Sequence, residues 1–408
     1  MPYSKDRILT THSGSLPRPL DLIEMNRARS QGQTYDSGAL TARLTSAVRE
    51  VVADQHKTGI DIPDDGEFGK PTSNVVDYGA WWSYAYARLS GFKPASEVPE
   101  MSKPRATQGT SVVLSSFPGR RDRKRFAEFY ADPNTGIPGV GSSTGASRRP
   151  VCVEDIRYVG QDALKEDIEN FKAALKHAQV ASAFMCAVAP GSFSRGEDLH
   201  YPTEEAFVYA IAEAMREEYS AIVDAGFILQ IDDPGMPDSW DMVDPEPPVE
   251  EYKKFQRVRA EALNHALRGL PDDRIRYHVC WGSWHGPHTT DIPLADIIDV
   301  VLSVNAGEYS VEAGNVRHEH EWRVWKDAKL PAGKRVLPGV VSHSTNLVEH
   351  PQLVADRICW YADVVGRENV IASTDCGLGG RVHPQIAWAK LEALVDGARL
   401  ASQRLWAK

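Results

Sequence analysis

Cysteine is scarce in this 408-residue chain: Cys152, Cys186, Cys280, Cys359 and Cys376 are all there is, an odd number. That excludes a disulfide framework and suits a reducing compartment, where cysteines are buried hydrophobes, nucleophiles or metal ligands. The paired C-x2-C spacing of structural zinc sites is missing. No run of about 18 apolar residues occurs, which excludes a transmembrane helix. The first residues, Met1 to Pro19, lack the apolar stretch of a signal peptide, so a cytoplasmic location is expected. An excess of basic residues is also lacking. Lys and Arg number 46 against 56 Asp and Glu, a formal net charge of −10, so neither nucleic acid nor an anionic membrane is expected as partner. Hydrophobic residues at 42% and charged residues at 25% are globular values and exclude a disordered or fibrous chain. One domain over residues 1–408 is expected, and a homo-oligomer is compatible with the sequence.

What the chain does have is alternation. Short, continuously apolar runs predict buried parallel strands at 59–64, 152–158, 183–189, 227–232, 275–280, 308–312, 336–341 and 369–374. Helical spacing lies between them. Leu40, Leu44, Val48 and Val51 mark one helix, stopped by Gly59. Thr203 caps another, whose face is Phe207, Ile211, Met215, Tyr219 and Ile222. Pro351 opens a third, and 383–402 reads as the last. Eight strands alternating with helices predict an α/β fold, a (β/α)8 TIM barrel. The competing doubly wound sheet loses its best support because no GxGxxG follows the first strand.

The stretch 91–150 breaks the alternation. It is rich in Pro, Gly, Ser and Arg, with a basic run at 119–125 and a glycine-serine run at 139–145. It reads as a long insertion or lid at the barrel rim, its basic run as a solvated patch.

Catalytic groups of a barrel sit at the C-terminal ends of its strands. Collecting those ends gives Asp64-Asp-Gly-Glu-Phe68, Gln230-Ile-Asp-Asp-Pro234, His278-Val-Cys-Trp281, Ser310-Val-Glu-Ala313, Val341-Ser-His-Ser344 and Thr374-Asp-Cys-Gly377. His278 and Cys280 stand two apart on a strand and so face the same side. With Glu312 and Cys376 they offer one imidazole, two thiolates and one carboxylate, a donor set that suits Zn²⁺ and not Ca²⁺ or Mg²⁺. H-x-C and D-C-G also describe ordinary buried cysteines, and at this level both readings stand. His285, His288, His318 and His320 read as loop or helix-start residues, Cys152, Cys186 and Cys359 as core, and Tyr78, Trp81, Trp82, Tyr84 and Tyr86 as packing or the wall of an apolar pocket.

In order along the chain, Thr10-Thr-His-Ser-Gly-Ser-Leu-Pro17, Asp65-Gly-Glu-Phe68, Gln230-Ile-Asp-Asp-Pro234, His278-Val-Cys280, Ser310-Val-Glu312 and Asp375-Cys-Gly377 resemble the C-terminal catalytic barrel of the cobalamin-independent methionine synthases, a family of zinc-dependent thiol alkyltransferases. The resemblance implies Zn²⁺ held by His278, Cys280, Glu312 and Cys376. It implies a pocket for a small, homocysteine-like thiol lined by Ser13, Gly14, Ser15, Glu67 and Asp232. Glu67 and His343 are then the expected catalytic residues, His343 as proton donor. The implied reaction is zinc-dependent methyl or alkyl transfer from a small-molecule donor to the thiol. The alternative is an epoxyalkane:coenzyme M transferase-like reaction, or a lyase cleaving a C–O or C–S bond, on the same barrel. One departure is plain: the segment Ala189-Pro-Gly-Ser-Phe193 lacks the tryptophan that stacks on folate in the synthases, so the resemblance does not extend to a folate donor.

Overall fold

The computed structural model describes residues 3–31, 33–72, 80–100, 105–135, 149–176 and 178–407. Tyr78 and the glycine-serine run at 139–145 lie outside them. The strands are β1 (Leu9–Thr10), β2 (Phe92–Lys93), β3 (Val151–Cys152), β4 (Phe184–Val188), β5 (Glu197–Asp198), β6 (Ile228–Asp232), β7 (Ile275–Val279), β8 (Glu308–Glu312), β9 (Arg335–Val341) and β10 (Ile371–Thr374). Seven of them form one parallel sheet in the order β1-β10-β9-β8-β7-β6-β4. The chain around Ile62 fills the remaining gap. Thr11 bridges in parallel to Ile62, and Pro63 O accepts from the Phe184 amide at 3.0 Å. The sheet thereby closes on itself as an α/β barrel with eight strand positions.

The core has the two zones such closure requires. Leu9, Ile62, Phe184, Cys186, Ile228, Leu337 and Ile371 meet inside the barrel. A larger cluster lies between the strands and the outer helices. Those helices begin where the sequence places capping groups. Asp36 accepts from the Ala39 amide ahead of Ser37–Thr58, and Thr203 accepts from the Ala206 amide ahead of Glu204–Asp224. Pro351–Val365 and Pro384–Trp406 each start on proline.

Two expectations are corrected. The run 152–158 is not a barrel strand: Val151–Cys152 pairs with Phe92–Lys93 and Glu197–Asp198 in a separate three-stranded sheet. Its place in the barrel belongs to Leu9–Thr10, two residues too short to show a period. The basic run is solvated at Lys124 and Arg125 but not throughout. Arg120 is fully buried, where it pairs with Asp238 and lies 3.6 Å from Asp241, with its guanidinium over Phe117 at 4.2 Å and Trp284 at 4.4 Å. Asp238 and Asp241 follow β6 and Trp284 follows β7, so this arginine clamps the insertion onto the C-terminal rim. The Asp122 amide bonds to Asp241 at 3.0 Å, and the Ser115 amide to Met242 O at 2.8 Å.

Removing one partner of a buried ion pair strands the other charge at a cost of about 3–5 kcal/mol. Arg120→Ala is therefore expected to lower stability by about that amount in urea unfolding and to expose 105–135 to limited proteolysis; a protease-resistant variant of wild-type stability would contradict the clamp.

Candidate metal centre and substrate pocket

Parallel register aligns the strand ends. Asp232 on β6 pairs with His278 on β7, and His278 pairs with Ser310 on β8. The ring of His278 is buried, and its Nδ1 lies 3.0 Å from Ser310 Oγ. Its Nε2 is buried without a hydrogen-bond partner. Nitrogen or sulfur donor atoms of His278, Cys280 and Cys376 lie within 4.8 Å of one another. An imidazole anchored through one nitrogen and orphaned at the other, beside two sulfurs, is the arrangement a soft or borderline cation takes up. These residues fit Zn²⁺.

The protonation pattern follows. A hydrogen bond from Cys280 draws the Cys376 thiol well below the ordinary range, against its burial and with help from His278. Cys280, the donor, is pushed up by the same bond and by burial. Burial alone would lower His278, but the Cys376 sulfur beside it and the negative charges of Asp232 and Glu312 raise it instead. Of the two thiols, Cys376 is thus the one whose thiolate form is favoured.

Glu312 stands next to this group without joining its tight cluster. Its Oε1 accepts from the Trp281 amide at 2.9 Å and its Oε2 from Asn315 Nδ2 at 2.8 Å. Burial raises its carboxyl. Asp375 positions Cys376: its Oδ1 accepts from the amides of Ala313 at 2.7 Å and Gly314 at 2.8 Å, tying the end of β10 to the end of β8.

On the other side of His278 lies a polar pocket. The β1 placement puts Ser13, Gly14 and Ser15 at a strand end after all. Ser13 Oγ donates to Thr374 O at 2.8 Å, and Ser15 Oγ to Gly379 O at 3.4 Å. Gly14 has φ +93°, and a Cβ there would sit 2.4 Å from Glu67 Oε1 and 3.1 Å from Cys186 Sγ. Only glycine fits. Glu67 itself holds φ +59°, a conformation that a non-glycine residue adopts under constraint and that turns it inward. Lys70 Nζ lies 3.2 Å from Glu67 Oε2 and donates to Cys186 O at 3.0 Å. Asp232 Oδ1 accepts from Gln230 Nε2 at 2.8 Å, and burial pushes its carboxyl up to about 7.

Donor atoms of Asp64, Glu67 and Cys186 also lie within 4.8 Å of one another. The Lys70 ammonium already supplies the cation there, so this cluster is charge-compensated by the protein itself. Sequence reasoning passed over Lys70; its reading of Cys186 as core holds, since Cys186 belongs to the inner cluster. Its parity with Phe184 on β4 was the available signal, since both point inward.

His343 follows β9 and is buried with both ring nitrogens unpartnered. Burial lowers it to about 4, against the attraction of Cys376. His288 and His318 flank Asp291 at 3.1 Å each, and His318 reaches Glu321 at 3.0 Å. His288 lies in a loop and His318 at the start of the Glu319–Val324 helix, as expected, and with Asp291 and Glu321 they form a buried row of ion pairs. His285 and Ser344 line a cavity of about 380 Å³ with Phe129, Asn315 and Arg317, next to His343.

A closed parallel barrel whose thiols, imidazoles and carboxylates converge at the C-terminal mouth defines an enzyme of the α/β-barrel class. More narrowly, the chain belongs to the cobalamin-independent synthase catalytic-domain family: the model described as "Cobalamin-independent synthase, Catalytic domain" matches residues 140–400. The methionine synthase of Thermococcus kodakarensis is 22% identical over 399 residues, 97% of this chain and 94% of that one. That of Saccharolobus solfataricus is 24% identical, with 97% and 95% covered. A B12-independent methionine synthase structure from Shewanella sp. W3-18-1, in complex with selenomethionine, superposes with a TM-score of 0.68 at 19% identity. It covers 98% of this chain and 100% of that one, which supports the fold. Among the described residues no helix is long and apolar enough to cross a membrane.

His12 gives a pH prediction. It is fully buried, 2.8 Å from Gln55 Oε1, and burial lowers it to about 4. A base depressed by folding is neutral in the native state while the unfolded chain takes up a proton below about 6.5. Stability is therefore complete above pH 6.5 and falls by about 3 kcal/mol as pH drops toward 4. Urea midpoints for His12→Gln should lose that part of the acid slope; an unchanged slope would assign it elsewhere.

Proposed function

We propose that this chain is a zinc-dependent transferase that moves a methyl or other alkyl group from a small-molecule donor to a small, homocysteine-like thiol. The observation that carries the reading is the convergence of the orphaned His278 Nε2 with the sulfurs of Cys280 and Cys376. These three would hold Zn²⁺, with Glu312 as the fourth, exchangeable ligand. Its two hydrogen bonds, to the Trp281 amide and Asn315, give the carboxylate a place to rest when sulfur arrives. When bound, the metal would lower the pKa of an incoming thiol, ordinarily near 8.5, into the neutral range.

The chain's own residues supply the rest. Glu67 and Asp232 face the pocket as carboxylates able to hold the ammonium group of an amino-acid thiol. Ser13, Gly14 and Ser15 offer hydroxyl and backbone N–H groups for its carboxylate. As the C–S bond forms, the donor's carbon–leaving-group bond breaks, and the thiol's proton must reach the leaving group. His343 can accept that proton on its one unprotonated ring nitrogen, which no described residue occupies. Once charged in its dry setting it is a strong acid, fit to deliver the proton onward. Orienting the two substrates at the rim contributes alongside thiol activation.

The reading is tested by metal analysis and thiol consumption. Protein purified with zinc should hold about one equivalent per chain, and Cys376→Ser and Cys280→Ser should each lose most of it together with activity. Homocysteine and 2-mercaptoethanesulfonate, each offered with methyl and epoxide donors, separate a synthase-like from an epoxide-opening reaction. A double Cys280/Cys376 serine variant that keeps its zinc and its turnover would overturn the proposal.

A further inference from the structure

The insertion brings a second charged feature to the rim, away from the thiol groups. Arg149 lies with its guanidinium 3.6 Å from the centre of the Trp82 ring. It makes no hydrogen bond or ion pair with any described residue. Arg195 lies over the same ring at 5.3 Å. It spends Nε on Ser192 O at 3.1 Å and Nη1 on Asp238 at 2.6 Å, which leaves Nη2 uncommitted. Asp238 is shared with Arg120, so two guanidiniums divide one carboxylate, while Asp241 and Asp291 also act on Arg120 and Arg149 has no carboxylate of its own among the described residues. The Tyr86 hydroxyl, also beside Arg149, is buried without a partner. Trp82 packs on Phe193 at 6.2 Å and Tyr86 on Phe193 at 4.6 Å. Phe193 follows β4, and Ser192 Oγ donates to Asp233 at 2.6 Å, the residue after Asp232. The cluster therefore sits on the C-terminal rim, two strands from His278.

Such a cluster is costly unless an anion completes it. Burial, with the Arg195 charge, already draws the Arg149 guanidinium down to about 10. Stacking on an indole fixes the plane of a guanidinium and leaves its N–H edge free, the arrangement that favours a bidentate oxyanion. We propose that Arg149 and Arg195, stacked on Trp82, form a recognition subsite for an anionic group of the second substrate. The alkyl donor is then a compound carrying a carboxylate or phosphate remote from its reacting carbon. This deepens the transferase reading and rests on it for the word donor; the anion site itself stands on the cluster alone.

The test is thermal denaturation of the zinc-loaded full chain in inorganic phosphate and, separately, in glutarate, with sodium chloride at equal ionic strength as reference. The phosphate and glutarate arms distinguish a phosphate-bearing from a carboxylate-bearing donor. Wild type should show a saturable rise in Tm with at least one of the two. Arg149→Ala should weaken the apparent affinity at least tenfold while its zinc content stays at the wild-type level. Tyr86→Phe removes a hydroxyl that bonds to nothing in the fold, so it should keep or raise the basal Tm and weaken anion binding several-fold, which covers the case of an unfolded Arg149 variant. No saturable shift in wild type, or equal shifts in wild type and both variants, would overturn the subsite. Protein that takes up no zinc when it is supplied, yet loses its anion response in Arg149→Ala, would keep the subsite and sink the metal reading.

Discussion

The Asp375 carboxylate, gripping the amides of Ala313 and Gly314, is the contact on which the site depends. It joins the last barrel strand to one two places away, across the intervening end of β9. Room for this comes from Gly339, where a Cβ would lie 2.4 Å from Asp375 Cα. Cys376 follows directly, and its neighbour Gly377 packs on the Ser15 backbone so closely that a Cβ would meet Ser15 N at 2.8 Å. One carboxylate and two glycines thus bring a thiol from the end of the chain to face an imidazole and a thiol from its middle. Sequence separation of about a hundred residues between ligands is ordinary for a barrel, because every strand delivers its last residue to the same mouth.

The rim divides into regions of opposite character. Around Glu67 and Asp232 the side chains are acidic and offset by Lys70, a setting for an ammonium group. Around Arg149, Arg195 and Arg120 they are basic, and Arg149 has no ion-pair partner among the described residues. The chain as a whole is acidic, at −10, so the basic sector is local and not the flank of a general positive field. Long-range attraction of polyanions is therefore not what it serves. The sulfurs stand at the ends of β7 and β10 on the same mouth.

Much of this was legible in the residues. The strand-end motifs name His278, Cys280, Glu312 and Cys376 because barrel chemistry collects at one end of every strand and because i, i+2 parity is fixed by the pleat. Other parts were hidden for definite reasons. Leu9–Thr10 is too short for any periodicity, so its place went to the apolar run at 152, which joins a side sheet. Cys186 looks like core in a run of apolar neighbours, and only the closure of the barrel turns its sulfur toward Glu67. Arg120 sits in a run of basic residues that reads as surface, whereas its burial depends on Asp238 and Asp241, more than a hundred residues away. Local pattern carries local structure and the ends of strands. It does not carry which distant carboxylate will meet which arginine.

The central claim is that Cys280 and Cys376 share one cation with His278. X-ray absorption at the zinc edge of the loaded protein tests it most directly. The account predicts two sulfur scatterers near 2.3 Å together with nitrogen at about 2.0–2.1 Å. A shell made of nitrogen and oxygen alone, in protein that retains its zinc, would contradict it.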